Sequence, residues 1–337
     1  MIDRYSRQIL FDGIGKEGQK RLANSFVVII GCGGLGTIIA ATLARAGIGK
    51  VRIVDRDFIE YHNLQRQVLF DEDDIENKLP KAVAAQRHLS KVNSSIEIEG
   101  IVADVNYSNI EGLIHGADLI LDGLDNLETR YLINDASLKH KIPWIYGAAI
   151  SSCGMTMNVI PGQTPCFRCL YPRIPGGEML LTCDTAGVIG PIPFIIGSLQ
   201  SAEALKILVG AENINLDLVV IDVWEGEFNR FKISPRQDCP ACQGKFEFLE
   251  ARFGTRTAPL CGQNVVQVLN PQVKEISLER LATQLSPVVG EVSYNEFMLS
   301  FRVDDYEVVV FPDGRAIIKN TEDESLARGL YAKYIGT

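Results

Sequence analysis

Four cysteines fall into two Cys-x2-Cys pairs, Cys166-Phe167-Arg168-Cys169 and Cys239-Pro240-Ala241-Cys242. Each pair can offer two thiolates from one tight turn, and two such turns close a tetrahedral Zn²⁺ site. Four thiolates leave no open coordination position, so the expected ion is structural. Without a metal the same residues are four buried cysteines or a redox motif. Proline-containing turns beside both pairs favour zinc.

A second constellation is Gly31-Cys32-Gly33-Gly34-Leu35-Gly36, between the apolar run Phe26–Ile30 and a small-residue run from Thr37 to Gly47. Strand, glycine turn and helix in that order suit a nucleotide phosphate. Gly31, Gly33, Gly34 and Gly36 let the backbone approach it, and the helix N-terminus supplies free N–H groups. Asp55 ends the next apolar run, where a carboxylate can meet ribose hydroxyls. So far NAD and ATP fit equally.

The residues that follow separate them. Asn63-Leu64-Gln65-Arg66-Gln67 is a polar run that a dehydrogenase does not need. Arg66 could neutralise a triphosphate and the charge gathering at a transferring phosphorus. Lys81, after Pro80 at an expected helix start, is a second cation on the same side. Asp125-Asn126 follows Leu119–Asp122 at the carboxyl end of a strand, where a carboxylate can hold Mg²⁺ beside phosphates. Singly, each has a plainer reading: Arg66 paired with an acid, Lys81 solvated, Asp125 capping a helix. Jointly they favour ATP.

The elements that must position these groups alternate between strand and helix from 26 to 150. Strands are expected near 26–30, 50–54, 95–102, 117–122 and 143–149, with helices near 34–47, 78–92, 106–115 and 126–141. The runs are short, apolar and β-branched, as in parallel strands buried on both faces. The fold class is α/β: a doubly wound, Rossmann-like, mostly parallel sheet. Alternating runs at 155–160, 217–224 and 227–233 extend it antiparallel, and an apolar helix is expected over 192–209. A small α+β appendage follows, with strands near 264–268, 290–302 and 305–311 and helices near 277–285 and 322–334. Two domains result: 1–245, with a crossover loop at 171–187, and 246–337.

Composition narrows the partners. The 337 residues carry a formal net charge of −9, which disfavours a nucleic acid bound through its phosphates. The apolar run Ala186–Leu199 is too short to span a bilayer, and the first residues lack the apolar core of a signal peptide. The 8 cysteines therefore read as thiols or metal ligands in a cytoplasmic protein. No spacing among His62, His88, His115 and His140 suggests ligation.

Taken together, the chain over residues 4–245 resembles the MoeB/ThiF/HesA family of adenylyltransferases, relatives of the adenylating half of ubiquitin-activating enzymes. The resemblance rests on Arg4-Tyr5-Ser6-Arg7-Gln8, Gly31–Gly36, Asn63–Gln67, Pro80-Lys81, Asp125-Asn126, Gly147-Ala148, Thr182–Gly187 and both cysteine pairs. Asn77–Lys81, Ile142–Gly147 and the appendage resemble the longer ThiF-type members of thiazole biosynthesis.

That resemblance implies a small ubiquitin-like sulfur carrier ending in Gly-Gly, whose terminal carboxylate attacks the α-phosphorus of ATP and expels pyrophosphate. It implies nucleotide contacts from Gly31, Gly33, Gly34, Gly36, Asp55, Asp57, Asn63, Gln65, Arg66, Lys81, Asp125 and Asn126, with magnesium on Asp125. Arg7 would reach the ATP of the other subunit of a homodimer. Cys183 could attack the acyl-adenylate or take part in sulfur transfer. A sulfurtransferase or cysteine desulfurase would supply the sulfur, for thiamine thiazole or molybdopterin. The competing readings are an NAD-dependent oxidoreductase and a same-fold enzyme that adenylates a transfer RNA base or a peptide.

Overall fold

The computed structural model describes residues 4–172, 186–251, 264–268 and 276–335. The chain divides into two compact units, Met1–Phe253 and Gly254–Thr337.

Eight strands form the sheet of the first unit: β1 (Phe26–Ile30), β2 (Lys50–Asp55), β3 (Glu97–Val102), β4 (Leu119–Asp122), β5 (Trp144–Ile150), β6 (Cys153–Val159), β7 (Leu218–Asp222) and β8 (Glu227–Phe231). Their order is β3-β2-β1-β4-β5-β6-β7-β8. Pairing is parallel from β3 to β5 and antiparallel from β5 to β8. The order runs outward in both directions from the β1–β4 pair. That pair is the switch point, where an open α/β sheet leaves a crevice beyond its carboxyl ends. In register, Ile30 stands beside Val54 on one side and Asp122 on the other, so the loops after β1, β2 and β4 open together.

Local sequence explains the helices that flank the crevice. The helix Gly34–Ala46 ends at Gly47, whose φ of 82° is the left-handed stop a glycine provides. The helix Leu127–His140 starts at Asn126, whose side chain accepts the Thr129 N–H. The helix over 78–92 begins only at Lys81, because Pro80 holds the extended N-cap conformation. Ahead of it lies a short helix, Glu72–Glu76, that the pattern does not predict; Asp71 and Asp74 close a capping box there. Over 106–115 the helical part is only Ile110–Leu113.

The helix Pro191–Val209 has the length and mean hydropathy of a membrane span, with half of its apolar window buried. It packs on β5, β6 and the helix Gly34–Ala46, as the central helix of a globular unit does.

The second unit is an antiparallel sheet in the order β10-β11-β12-β13-β9, with the helices Leu278–Val289 and Glu324–Tyr334. Its strands are β9 (Val265–Val268), β10 (Val292–Tyr294), β11 (Leu299–Val303), β12 (Tyr306–Val310) and β13 (Ala316–Lys319). Two corrections apply. The strand expected over 290–302 is two strands, broken where the Asn295 carboxamide oxygen accepts the N–H groups of Phe297 and Met298. The short β13 is absent from the sequence expectation. Four residues after the turn Asp313-Gly314 carry too little pattern to stand out.

Candidate active site

The glycine loop continues the sheet before it turns. The Gly31 N–H donates to the Val54 carbonyl at 2.8 Å, and the Gly123 N–H to the Ile30 carbonyl at 2.8 Å. These bonds bring the loops after β1 and β4 into contact. A Cβ on Gly31 would stand 2.6 Å from the Gly123 oxygen, and one on Gly36 would stand 2.0 Å from the Gly31 oxygen. Side chains are excluded there by the backbone itself.

Asp55, at the end of β2, braces the loop from the side. One carboxylate oxygen accepts the Cys32 N–H at 2.6 Å and the other accepts the Asp57 N–H at 2.7 Å. Each oxygen keeps a further acceptor site for a ligand hydroxyl. Burial raises the Asp55 pKa, and Lys81 opposes that rise.

Lys81 is the buried cation of the crevice, 7% exposed. Its Nζ lies 3.3 Å from Asp57 Oδ2, and its own N–H donates to the Asp57 carbonyl at 2.9 Å. Burial alone would lower its pKa. Asp57, Asp55 and Asp125 outweigh that cost, so the ammonium is held charged. Asp125 itself is exposed, in the turn between β4 and the helix Leu127–His140. It also raises the pKa values of Arg56 and Arg130, so its charge is felt across the crevice.

The polar run after β2 divides its labour. Asn63 is buried, and its side-chain oxygen accepts the Glu60 N–H at 3.0 Å, closing the 3₁₀ turn Tyr61–Asn63. The Asn63 carbonyl accepts the N–H groups of Arg66 and Gln67. Arg66 is half-buried, donates to the His62 carbonyl at 2.9 Å, and lays its Cγ 3.7 Å from the place a Gly34 Cβ would take. Gln65 is exposed and donates to the Val188 carbonyl at 3.3 Å. Gln67, behind Gly33, is 3% exposed, and its Oε1 has no hydrogen-bond partner among the described residues.

The structure thus gathers Gly31–Gly36, Asp55, Asp57, Arg66, Lys81 and Asp125 around one crevice, with Asn63 and Asn126 holding its turns. Arg7 is exposed on the short helix Ser6–Ile9, beside the exposed Leu10 and Phe11. It makes no hydrogen bond or ion pair among the described residues. Cys183, Cys261 and most of the crossover loop lie outside the described residues. Cys32 is fully buried, and Cys153 donates to Asp222 at 2.9 Å.

Sequence reasoning gives no role in the site to Gln67, Asp122 or Arg130. Asp122 and Arg130 form a buried ion pair at 2.8 Å behind the Asp125 turn. The one signal for them is an acidic residue ending a strand, with an arginine eight positions on in the next helix.

The four paired cysteines also meet. Cys166 Sγ lies 3.8, 3.5 and 3.4 Å from those of Cys169, Cys239 and Cys242, and Cys169 to Cys242 is 3.6 Å. A tetrahedron of Zn–S bonds of about 2.3 Å has edges of about 3.8 Å, so the cage has zinc dimensions. The Arg236 N–H donates to Cys169 Sγ at 3.4 Å, as an outer hydrogen bond to a thiolate would. The thiols share protons: hydrogen bonding with Cys239 raises Cys166, and the same bond lowers Cys239 to about 5.

The cage is tied to the sheet unit through Phe167, whose N–H donates to Asn134 at 2.8 Å. Arg168 pairs with Glu247 at 2.7 Å, and the Phe248 N–H donates to Asp135 at 2.9 Å. A further cluster, Asp71, Asp74 and His88, has its ligand atoms within 4.8 Å of one another, although both acids are spent on the capping box.

The chain that carries this switch-point crevice, with its glycine cradle, buried lysine and carboxylate, and this four-cysteine cage is an adenylyltransferase. The ThiF family matches residues 5–241, and the chain belongs to that family. It is 46% identical to the sulfur carrier protein ThiS adenylyltransferase of Bacillus subtilis over 339 residues, covering 100% of both chains. The SAMP-activating enzyme E1 of Haloferax volcanii is 38% identical over 242 residues, 72% of this chain and 88% of that one. Among solved structures, E. coli MccB with ATP aligns with a TM-score of 0.62 at 25% identity, over 72% of this chain and 75% of that chain.

Proposed function

We propose that this chain uses ATP to adenylate the C-terminal glycine carboxylate of a ubiquitin-like sulfur carrier protein of the ThiS/MoaD type. A carrier carboxylate oxygen bonds to the α-phosphorus, the α–β phosphoanhydride bond breaks, and pyrophosphate leaves. The observation that carries the reading is Lys81, buried beside the glycine loop and ringed by Asp57, Asp55 and Asp125. A dinucleotide that stays intact needs no such fixed cation. A triphosphate that is cut does, because a carboxylate approaching it is repelled.

In this reading Gly31–Gly36 and the following helix N-terminus hold phosphates, and Asp55 takes the ribose. Arg66 and Lys81 neutralise the triphosphate, and Asp125 binds magnesium, which screens the phosphate charge. Gln65, Asn63 and Asn126 complete the pocket. Arg7 serves the neighbouring subunit of a homodimer, a reading supported by the exposed Leu10 and Phe11 beside it. The cysteine cage binds structural zinc, the donor set and its dimensions fitting that ion.

Cys183 is assigned to sulfur transfer, with a sulfurtransferase or cysteine desulfurase as donor. Catalysis is assigned to 1–245 and partner docking to 246–337. Full-length likeness to a ThiS adenylyltransferase supports the thiazole pathway over molybdopterin. A cytoplasmic location accords with cysteines that are free wherever they are described.

The test is ATP–pyrophosphate exchange in the presence of a carrier ending in Gly-Gly. Exchange is expected with the intact carrier and not with one lacking the last glycine. Asp125→Ala is expected to lower it at least about 100-fold while thermal melting is unchanged. Saturable NADH binding without exchange would overturn the reading.

A further inference from the structure

Both backbone polar groups of Leu124, the residue just before Asp125, are held by the buried Asp122–Arg130 pair. The Leu124 N–H donates to Asp122 Oδ1 at 2.9 Å, and Arg130 Nη2 donates to the Leu124 carbonyl. The same pair holds both polar groups of Gly147 on β5. The Gly147 N–H donates to Asp122 Oδ2 at 3.3 Å, and Arg130 Nη2 donates to the Gly147 carbonyl at 2.8 Å. Arg130 Nε closes the pair with Asp122 Oδ2 at 2.8 Å.

Gln200, from the helix Pro191–Val209, adds bonds to the carbonyls of Asp122 at 2.9 Å and Ile145 at 3.2 Å. On the other side of Asp125, Asn126 is fixed as an N-cap. An exposed carboxylate therefore stands on a backbone fixed before and after it. A buried ion pair is a poor stabiliser compared with well-packed apolar residues, so its use here calls for another reason.

We propose that Arg130 is a positioning residue: with Asp122 it clamps Leu124 against Gly147 and so presets the Asp125 carboxylate for a divalent cation on a nucleotide. The inference rests on the assignment of magnesium to Asp125. Preorganising a ligand oxygen removes the cost of ordering it at the moment of binding. The clamp should then matter to metal–nucleotide binding far more than to nucleotide binding alone.

Calorimetric titration with a non-hydrolysable ATP analogue, in magnesium and in EDTA, tests this on the full chain. Arg130→Lys keeps the charge but loses the fork that reaches two carbonyls. Its affinity is expected to fall about ten-fold in magnesium and less than about two-fold in EDTA, the size of one lost charge-assisted hydrogen bond. Should Arg130→Lys fail to fold, Asp122→Asn carries the test, since its amide oxygen can still accept the Leu124 N–H.

Equal losses in both buffers, or none in either, would overturn the clamp. A wild-type chain that binds the analogue with no dependence on magnesium would instead overturn the role given to Asp125.

Discussion

The cysteine cage and the nucleotide crevice lie in one unit and are built on opposite terms. In the cage, Cys166, Cys169 and Cys239 are buried, each sulfur has another within 3.8 Å, and the charges nearby are paired, although Asn134 Nδ2 and Asp135 Oδ1 are buried without a described partner. Arg168 meets Glu247, and Phe248 stacks on Tyr131 at 4.8 Å. In the crevice Asp125 is exposed, Gln67 Oε1 is buried without a described partner, and a lysine is held charged by three acids. A site whose task is to hold the fold can set its ligand atoms and its charges against one another. One that must receive a charged ligand leaves them unsatisfied and transfers the cost to a rigid frame.

Breaking the cage should therefore cost stability before activity, and the effect should be the largest available. Cys166→Ser removes a ligand that touches the other three sulfurs. The expected outcome is a loss of about 5 kcal/mol, with release of one equivalent of zinc. Thermal melting with atomic-absorption assay of the metal checks it, and a strong chelator should reproduce the melt in the wild type. An unchanged melt with retained zinc would mean that the cage is incidental.

Breaking the crevice at Gly36→Ala should cost less. The new Cβ would sit 2.0 Å from the Gly31 oxygen, so the loop must move. A loss of about 3 kcal/mol is expected, together with at least about ten-fold weaker ATP binding. Gly33→Ala is the control, because its nearest foreign atoms lie 3.8 Å away. A Gly36 variant no worse than the Gly33 one would show that the loop is softer than its contacts imply.

The two regions also differ in how much of each the amino-acid sequence announces. Cys-x2-Cys pairs and the Gly31–Gly36 run are local signals: one turn of chain fixes the spacing of the donors, whatever the fold does later. The β1–β5 alternation is legible for the same reason, since strands buried on both faces announce themselves as short apolar runs. The clamp is not legible. Asp122, Arg130, Gly147 and Gln200 become neighbours only when the β4–β5 pairing and the helix Pro191–Val209 bring them together.

Asn63 adds a role that its place in a polar run does not announce: its side-chain oxygen closes a turn. In the second unit, β13 and the break at Asn295 are invisible in the sequence because four-residue strands and Asx turns leave only a faint pattern.

The smallest expected effect sharpens the contrast within the cage region. Asp135 is fully buried there, and burial raises its pKa from 3.8 to about 6, against the Phe248 N–H and Arg168, which lower it. The folded state therefore binds this proton more tightly than the unfolded chain does. The stability Asp135 contributes is fully present below about pH 4 and is lost as pH rises through about 6.

Asp135→Asn cannot titrate, and its amide oxygen can still accept the Phe248 N–H. The variant is expected to equal or exceed the wild type in melting temperature at pH 7.5 and to lose that advantage by about pH 4.5. Protonation of the cage sulfurs is common to both chains and cancels in the difference. A difference constant across this range would mean that Asp135 is ionised in the folded protein throughout. The cage region would then hold one buried charge as poorly compensated as the groups of the crevice.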